Sequence, residues 1–318
     1  MRVTVLAGGI GGARFLRGVR AALPDQEVTA VVNTGDDITV FGLRVCPDLD
    51  SVMYTLGDGI DPERGWGRAR ETWTVMEELA GYDAPPSWFN LGDRDIATHL
   101  VRTQMLSAGY GLADVTAALC ERWKPGVRLL PMTEQRCETH VVVADDTAAS
   151  GQRVIHFEQW WIEHRAKLPA RSFVQVGLAD ATAGPGVLDA IATTDVVLLA
   201  PSNPVVSIGT VLAVPGVADA VRATPAPVVG VSPIIDGKPV RGMADACLPV
   251  IGVEVSAQGV AAHYGARTHG GLLDGFLVAP DDTAAVEGLE VRAVPLLMTD
   301  DDLTAQMVRE AMAVAGVG

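Results

Sequence analysis

The sequence contains no long uninterrupted hydrophobic segment. Its apolar runs are short and are broken by glycine, proline or charged residues, and none reaches the ~20 residues that a helix needs to cross a bilayer. The first residues, MRVTVLAGG, are typical of a strand and lack the charged and then apolar regions of a secretion signal. These absences predict a cytoplasmic protein that does not act at a membrane.

Cysteine and positive charge are both scarce. The four cysteines are Cys46, Cys120, Cys137 and Cys247. They lack metal-ligand spacing, which predicts reduced thiols and neither disulfides nor a zinc site. The chain has 24 Lys and Arg against 39 Asp and Glu, a formal net charge of −15, which argues against a nucleic-acid partner. An anionic ligand of nucleotide size is still compatible with that charge if Arg14, Arg94, Arg102 or a metal ion makes its site locally positive.

The sequence does contain enough apolar residues for a large core. Of its 318 residues, 48% are hydrophobic, so disorder is not expected. Continuous apolar runs at residues 3–7 and 28–32 predict strands that are buried on both faces of a parallel sheet. The helical pattern of residues 14–23 lies between them. The chain therefore begins with a predicted βαβ unit.

The middle of the chain has a helical pattern. Helices are predicted at residues 71–79, 94–107 and 112–123, and together they form a helical insertion at about residues 65–125. Strand patterns then return at residues 128–132, 139–144, 172–176, 196–200 and 227–231. The last three of these runs alternate with helical segments, which predicts further strands of a parallel sheet.

The remaining segments complete the same predicted domain. Residues 154–164 mix aromatic and charged residues and fit either a strand or a strand that runs into a helix. Residues 281–291 are typical of a loop that leads to a late strand, and residues 303–314 predict a closing helix. No repeat or linker divides the chain. We therefore predict one α/β domain over residues 1–318, a Rossmann-like parallel sheet with helices on both faces and a helical insertion.

A glycine cluster follows the first predicted strand, in the segment VLAGGIGGARFL. Its glycines are Gly8, Gly9, Gly11 and Gly12. Bare backbone ahead of a helix N-terminus gives phosphate oxygens room to approach unpaired N–H groups, so this turn is a predicted phosphate site. Glycines in such turns also serve close packing, and the cluster matches neither the P-loop nor the dinucleotide pattern. No lone acidic residue ends the second strand to hold a ribose, which disfavours NAD.

Two acidic turns, NTGDD and PDLDSVMYTLG, follow the glycine cluster. Their carboxylates are Asp36, Asp37, Asp48 and Asp50. Mg²⁺ is typically held by one or two carboxylates together with substrate phosphates, so these residues are predicted Mg²⁺ ligands beside a phosphate or diphosphate. The alternatives are that the first pair only forms a turn and that Asp48 or Asp50 only caps the next helix.

Polar residues on later segments are candidates for contact with a second ligand. The segment FNLGDRDIATHLVRTQ carries Asp93, Asp95, His99 and Arg102, and the last three share one helix face. His99 could be a general base or a histidine that serves only the fold. The Trp160 and Trp161 pair could stack on a flat ring or simply pack.

Two loops follow later strands of the predicted sheet. SNPVVSIG begins with Ser202 and Asn203, and SPIIDG begins with Ser232. Loops at the carboxyl ends of parallel strands commonly bind ligands, so these three residues are predicted ligand contacts. The alternative is that Ser202 or Asn203 caps a helix ahead of Pro204.

These motifs, in this order, resemble the 2-phospho-L-lactate transferase family of coenzyme F420 biosynthesis. The resemblance rests on AGGIGGARFL, NTGDD, PDLDSVMYTL, WFNLGDRDIATHLVRTQML, LLPMTEQRCETHVV, SNPVVSIG and SPIIDG, and it covers nearly the whole chain. VCPDLDSVMYTLG and GWGRARETW resemble the actinobacterial branch of phosphoenolpyruvate transferases.

The resemblance implies a reaction. A guanosine diphosphate that carries enolpyruvate or lactate on its outer phosphate gives its phospho-acid group to the ribityl hydroxyl of the deazaflavin Fo. GMP leaves, and the product is dehydro coenzyme F420-0 or coenzyme F420-0. The resemblance also implies a Mg²⁺ requirement and a homodimer. The alternative is a nucleotide-sugar-binding regulatory protein without turnover, as in related proteins of cell-envelope metabolism.

The resemblance also implies roles for individual residues. Asp37 and Asp50 become the first choices for holding the catalytic metal. The glycine turn and the loops that begin at Ser202 and Ser232 are assigned to the guanosine nucleotide. Fo is assigned to Asp50, Asp93, Asp95, His99 and Arg102.

Overall fold

The computed structural model describes residues 1–317 and is organised around a seven-stranded parallel sheet. The strands, in chain order, are β1 (Arg2–Ala7), β2 (Glu27–Val32), β3 (Ile38–Val40), β4 (Leu43–Val45), β5 (Arg128–Pro131), β6 (Glu138–Ala144), β7 (Gln152–His156), β8 (Ala170–Val176), β9 (Val196–Leu199), β10 (Val228–Val231), β11 (Ile234–Ile235), β12 (Lys238–Pro239), β13 (Gly275–Val278) and β14 (Glu290–Ala293). The large sheet has the order β14-β13-β10-β9-β1-β2-β5. All of its neighbouring pairs are parallel.

Helices connect these strands. They are α1 (Gly9–Ala22), α2 (Pro47–Leu56), α3 (Thr74–Gly81), α4 (Asp93–Ser107), α5 (Leu112–Trp123), α6 (Val187–Thr193), α7 (Ile208–Ala213), α8 (Val217–Ala223), α9 (Ala244–Cys247), α10 (Ala257–Tyr264) and α11 (Asp301–Val314). One turn of π-helix follows β7 at Gln159–Glu163. In the part of the chain that the structure describes, no helix combines the length and apolar character needed to cross a membrane.

The core lies on both faces of the large sheet, as the continuous apolar runs predicted. Successive residues of a strand point to opposite faces. In β1, Val3, Val5 and Ala7 therefore belong to one apolar cluster, and Leu6 belongs to the other. Helices α1 and α11 pack on the first face. The prediction of a Rossmann-like parallel sheet with helices on both faces is confirmed.

One predicted strand lies in a different sheet. Residues 172–176 were expected in the parallel sheet, but β8 pairs with β6 in an antiparallel three-stranded sheet of order β7-β6-β8. The physical reason is that β8 is not a continuous apolar run: it carries Arg171, Ser172 and Gln175, and Val174 and Val176 remain exposed. A strand with one solvated face fits an antiparallel sheet, whereas strands of a parallel sheet are buried on both faces.

The predicted helical insertion contains α3, α4 and α5. Helix α3 begins at Thr74, although the pattern predicted a start at residue 71. The carboxylate of Glu71 instead accepts hydrogen bonds from the N–H groups of Arg94 and Asp95, at 2.8 and 2.9 Å. Glu71 therefore caps the first turn of α4 and does not begin α3.

Several smaller features complete the comparison with the sequence. Residues 154–164, whose type was open, form the end of β7 followed by the π-turn, and the closing helix is confirmed as α11. The sequence patterns missed β13 and the β3–β4 hairpin. All four cysteines are free thiols, as predicted, and three of them are buried.

Candidate active site

A cavity of about 730 Å³ lies at the carboxyl ends of the parallel strands. Its wall includes Gly8 after β1, Asp36 after β2, Ser202 after β9 and Ser232 after β10. These strands are neighbours or near neighbours in the sheet, so loops that are distant in sequence meet at one edge. Ligands of open α/β sheets bind in this position, and the volume is that of a typical small-molecule site.

The glycine turn after β1 combines two functions. Helix α1 begins at Gly9 and has no side-chain cap from its N-cap residue Gly8, so its first N–H groups lie at the cavity wall, where the Gly9 N–H is near the carboxylate of Asp48. Gly9 has a φ of +61°, a conformation that favours glycine. A Cβ on Gly11 would lie 2.7 Å from the carbonyl oxygen of Pro201, and one on Gly12 would lie 2.9 Å from Ser202 Oγ. Gly8, Gly9 and Gly11 line the cavity, whereas Gly12 serves close packing.

The loop after β9 is fastened to this glycine turn. Ser202 Oγ donates to the carbonyl of Gly8 at 2.7 Å and accepts from the Gly8 N–H at 3.2 Å. Asn203 Oδ1 accepts from the N–H groups of Val205 and Val206. Asn203 therefore holds the turn that precedes α7 and does not cap that helix, which begins at Ile208. Ser202 and Asn203 also line the cavity, so their contact with a nucleotide stays a prediction.

Ser232 has a similar position after β10. Its hydroxyl donates to the carbonyl of Ile234 at 2.8 Å and accepts from the Ile234 N–H at 3.2 Å. These bonds hold the turn that follows the strand. Ser232 lines the cavity, and its contact with a nucleotide stays a prediction.

Three buried carboxyl groups form an acidic cluster on the cavity wall: Asp36, Asp48 and Glu158. Asn33 Nδ2 donates to Asp36 Oδ2 at 3.2 Å and to Asp48 Oδ2 at 2.9 Å, so one amide joins both acidic turns. Within residues 1–317, Asp36 Oδ1 is buried and has no hydrogen-bond partner. No arginine or lysine among the described residues forms an ion pair with this cluster.

The cluster binds protons more tightly than isolated carboxyl groups do. Burial, followed by the charges of Asp48, Glu158 and Asp37, raises the pKa of Asp36 well above its usual value. Burial raises the pKa of Asp48 to about 6. Burial and then the charge of Asp48 raise the pKa of Glu158 to about 8. These shifts mean that ionising the cluster is costly without a nearby cation.

A magnesium ion fits the donor set of this cluster. Asp36 Oδ1 is a buried carboxylate oxygen that accepts no hydrogen bond from the described residues. Carboxylate oxygens are the ligands that Mg²⁺ prefers. No group of three or more His, Cys, Asp or Glu within residues 1–317 is placed to hold a metal ion. Asp36 and Asp48, which the Asn33 amide joins, would therefore share the ion with substrate phosphates.

The other two carboxylates of the predicted metal set have arginine partners. Asp37 is fully buried, accepts from Arg44 Nη2 at 3.1 Å and from Cys46 Sγ at 3.0 Å, and does not line the cavity. Burial raises the pKa of Asp37 to about 6 despite Arg44. Asp50 forms a two-bond pair with Arg102. The geometry favours Asp36 and Asp48 over Asp37 and Asp50 as metal ligands.

His156 connects the segment that carries Glu158 to the first acidic turn. Its Nδ1 accepts from the N–H of Glu158 at 3.1 Å, so in the neutral ring Nε2 carries the proton and donates to the carbonyl of Asp37 at 3.2 Å. Burial lowers the pKa of His156 to about 4. No sequence motif pointed to Glu158, which lies more than a hundred residues from the acidic turns and follows β7 in the chain.

Without metal, we expect the protein to lose stability as the pH rises from about 6.5 to about 8.5. The folded state binds the Glu158 proton more tightly than the unfolded chain does, so protonation stabilises folding and this contribution is lost as the pH rises through the folded pKa of about 8. The lowered pKa of His156 acts in the opposite direction, but only below its unfolded value of 6.5. Thermal unfolding midpoints with EDTA measure the effect.

The same titration with MgCl₂ should show a larger stabilisation at the higher pH, where the cluster is ionised. Glu158→Gln should flatten the pH dependence, whereas Glu78→Gln, at an exposed position, should leave it unchanged. A midpoint in the wild type that does not change over this range, with and without Mg²⁺, would contradict the account of the cluster.

A second polar network lies beside the cavity on α2 and α4. Arg102 is buried and donates to Asp50 and, through Nη1, to His99 Nδ1 at 3.0 Å. A guanidinium can only donate, so His99 Nδ1 is the acceptor and the proton of its neutral ring is on Nε2, 3.4 Å from Asp95 Oδ1. Tyr54 donates to the same Asp95 oxygen at 2.6 Å.

This network assigns roles to the predicted Fo-binding residues. Asp50, Asp95 and His99 line the cavity, whereas Arg102 lies behind its wall. Burial raises the pKa of Asp95, but the hydrogen bonds from His99 and Tyr54 outweigh it, and the net pKa is lowered. His99 is not placed to act as a general base, because its basic nitrogen already accepts from Arg102.

Asp93, which the resemblance assigns to Fo, does not line the cavity, and its contact with Fo stays a prediction. Its carboxylate accepts from Thr72 Oγ1 at 2.6 Å and from the N–H groups of Thr74 and Val75 at 3.1 and 3.0 Å. It therefore holds the first turn of α3, and it is absent from the cavity wall. The physical reason is that α4 begins at Asp93, so this side chain lies on the side of the preceding loop and α3.

We expect Asp93→Ala to lower stability and to leave the chemistry largely intact. Loss of a helix-capping carboxylate leaves N–H groups of the first turn without an acceptor and weakens the helix. The measurements are urea unfolding and, in parallel, steady-state rates with titration of Fo by its fluorescence. Asp95→Ala, whose carboxylate does line the cavity, is the matched comparison. A loss of rate in Asp93→Ala as large as that in Asp95→Ala would contradict this assignment.

Aromatic residues form part of the cavity wall. Tyr54, Trp88 and Phe89 all line it. Of the tryptophan pair, Trp160 is buried and donates through Nε1 to the carbonyl of Leu168, whereas Trp161 lines the cavity. The sequence also missed lining residues that carry charge or aromatic surface: Trp66, Arg165 and Arg241.

The chain matches a known family and curated relatives over nearly its whole length. Residues 3–312 match the family model described as 2-phospho-L-lactate transferase CofD. A protein of Nocardia farcinica described as phosphoenolpyruvate transferase is 61% identical over 316 residues, 99% of this chain and 95% of that protein. One of Mycolicibacterium smegmatis with the same description is 59% identical over 326 residues, 100% of this chain and 99% of that protein.

Two crystal structures of protein BH3568 from Bacillus halodurans, a member of the UPF0052 family, are similar in fold. Each has a TM-score of 0.62 and covers 98% of both chains. The sequence identities are 19% and 16%, so this similarity concerns the fold alone.

Proposed function

Because this chain belongs to the 2-phospho-L-lactate transferase family of coenzyme F420 biosynthesis, we propose that it transfers a phospho-acid group from a guanosine-diphosphate-activated donor to the deazaflavin Fo. It is a phosphoenolpyruvate or 2-phospholactate transferase. In the proposed reaction the ribityl hydroxyl of Fo attacks the outer phosphorus and GMP leaves. The product is dehydro coenzyme F420-0 with an enolpyruvyl donor and coenzyme F420-0 with a lactyl donor. The names of the two relatives favour the enolpyruvyl donor.

The main support for this proposal is that the glycine turn and the acidic cluster line the same cavity. A Cβ on Gly8 would lie 2.7 Å from Asp48 Oδ2, so the open end of α1 and the carboxylates are direct neighbours. Helix N–H groups bind phosphate oxygens, and carboxylates bind the cation that accompanies them. A diphosphate that contacts both features fits this arrangement.

The proposed chemistry requires mainly positioning and charge neutralisation. Phosphoryl transfer needs little covalent work from the protein, because the attacking and leaving oxygens only have to be held in line. Mg²⁺ would neutralise charge on the transferred and leaving phosphates. Asp36 and Asp48 would hold it, and Asn33 keeps these two carboxylates together.

The acceptor is proposed to bind on the α2 and α4 side of the same cavity. Trp88, Phe89 and Tyr54 offer apolar surface to the deazaflavin ring, and Asp50, Asp95 and His99 offer polar groups to its hydroxyls. The Arg102 and Tyr54 bonds fix the orientation of Asp50 and Asp95 before the ligand binds. Such preorganisation reduces the cost of aligning the ribityl chain. The cytoplasmic location, which was predicted from the sequence, stays a prediction. So does the homodimer, which the resemblance implies.

A competition experiment tests both the transfer and the choice of donor. The protein is incubated with Fo, MgCl₂ and equal concentrations of the enolpyruvyl and lactyl forms of activated guanosine diphosphate, and the products are separated by mass. We expect dehydro coenzyme F420-0 as the main product. Coenzyme F420-0 as the main product would reverse the donor assignment. Binding of guanosine nucleotides without either product would favour the regulatory alternative.

A further inference from the structure

Three arginines on the cavity wall have no carboxylate partner. Arg14, Arg165 and Arg241 line the cavity, and none of the ion pairs formed by the described part of the chain includes any of them. The chain has 39 acidic and 24 basic residues, so carboxylates are abundant. Three unpaired guanidiniums in one cavity therefore make part of its wall positive despite the net charge of −15.

Arg14 and Arg241 interact with each other although their charges repel. Burial lowers the pKa of Arg14, and the charges of Arg241 and then Arg17 lower it further. The position of Arg241 is fixed by the loop after α2, because its Nη1 donates to the carbonyl of Arg64 at 3.3 Å. The same nitrogen packs on Gly65, where a Cβ would lie only 2.6 Å away. An anion between the two guanidiniums would convert this repulsion into attraction.

The pair lies beside the open end of α1. A Cβ on Gly65 would lie 3.5 Å from Ile10 Cγ2, so the loop that holds Arg241 is in contact with the first turn of the helix. Arg14 is on the same helix. The acidic cluster is adjacent to the same turn, because a Cβ on Gly8 would lie 2.7 Å from Asp48 Oδ2. A ligand at the end of α1 can therefore contact the acidic cluster with one group and the arginines with another.

We propose that Arg14 and Arg241 form a subsite for an anionic group of the activated donor. This inference rests on the proposed function for the identity of that donor. The group is either a phosphate of the guanosine nucleotide or the carboxylate of the transferred acid, since a guanidinium pairs with both through two N–H groups. The subsite binds and orients the donor and takes no part in bond making.

The test compares the double variant Arg14→Gln/Arg241→Gln with the wild type and with Arg222→Gln. Arg222 forms an exposed ion pair with Asp219 and does not line the cavity, so it controls for loss of charge. Calorimetry gives the affinities for GDP and GMP, and steady-state rates give kcat and KM for the donor. Unfolding midpoints establish that all three proteins are folded.

We expect a loss of at least ~10-fold in donor affinity, seen as a raised KM. If the pair binds a phosphate, GDP affinity falls as well, and GMP affinity falls only if the inner phosphate is bound. If it binds the acid, the GDP and GMP affinities stay unchanged. A folded double variant that binds GDP and uses the donor as the wild type does would overturn the subsite.

The outcome also separates this inference from the proposed function. A wild type that binds GDP through these arginines and forms no product with Fo contradicts the transfer reaction alone. A double variant that turns over as the wild type does contradicts the subsite alone. A wild type that binds neither GDP nor the donor contradicts both.

Discussion

Replacing Asp48 by Asn should lower the rate of transfer at saturating donor and Fo by at least ~100-fold, a loss of about 2.7 kcal/mol of transition-state stabilisation. Asp48 joins the glycine turn to the acidic cluster, since it is next to Gly8 and shares the Asn33 amide with Asp36. The amide of Asn has a similar shape, but it cannot supply a negative oxygen to Mg²⁺.

Steady-state kinetics over a series of Mg²⁺ concentrations measure this effect, and calorimetry with MgCl₂ and GDP measures ion binding independently of turnover. Asp219→Asn, at an exposed position on α8, is the matched control. If Asp48→Asn retained a rate within ~3-fold of the wild type at limiting Mg²⁺, the acidic cluster would not be the metal site.

Replacing Arg102 by Leu should lower the free energy of unfolding by about 3–5 kcal/mol. Arg102 is 2% exposed and pairs with Asp50, which is 5% exposed, so the substitution would leave a buried carboxylate without its partner. His99 would lose the donor to its Nδ1 in the same step. Burial alone would lower the pKa of Arg102, but interactions led by the charge of Asp50 outweigh burial and raise it. Arg102 therefore keeps its positive charge.

Urea unfolding of Arg102→Leu and of Arg222→Gln gives a direct comparison of a buried and an exposed ion pair. The exposed pair of Arg222 with Asp219 should contribute only ~0–1 kcal/mol. Adding Asp50→Asn to Arg102→Leu should recover part of the lost stability, because the unpaired charge is removed. Equal, small losses in Arg102→Leu and Arg222→Gln would show that the network does not stabilise the fold.

The fold could be predicted where a strand is buried on both faces. Residues 3–7, 28–32 and 196–200 are apolar at every or nearly every position, and such runs are typical of the centre of a parallel sheet. Residues 172–176 were assigned wrongly to the parallel sheet because they precede a helical pattern, as the parallel strands do. Their sequence, SFVQV, is neither a continuous apolar run nor a strict alternation, so the pattern alone did not decide which sheet they join.

The site could be predicted as a region but not atom by atom. The glycine turn and the acidic turns do meet in one cavity. Asp36 and Asp37 are adjacent in sequence, yet one lines the cavity and the other pairs with Arg44, because the backbone of a turn decides where each side chain points. Glu158 was missed because only the antiparallel sheet brings it to the acidic turns.

The most direct test of the transferase account is to quantify GMP and the Fo product together, in one reaction with wild-type protein, activated enolpyruvyl donor, Fo and MgCl₂. The account predicts one GMP for each molecule of dehydro coenzyme F420-0, with both products suppressed by excess EDTA and in Asp48→Asn. Release of GMP without the Fo product, or equal yields of both products in EDTA, would contradict Mg²⁺-dependent transfer to Fo.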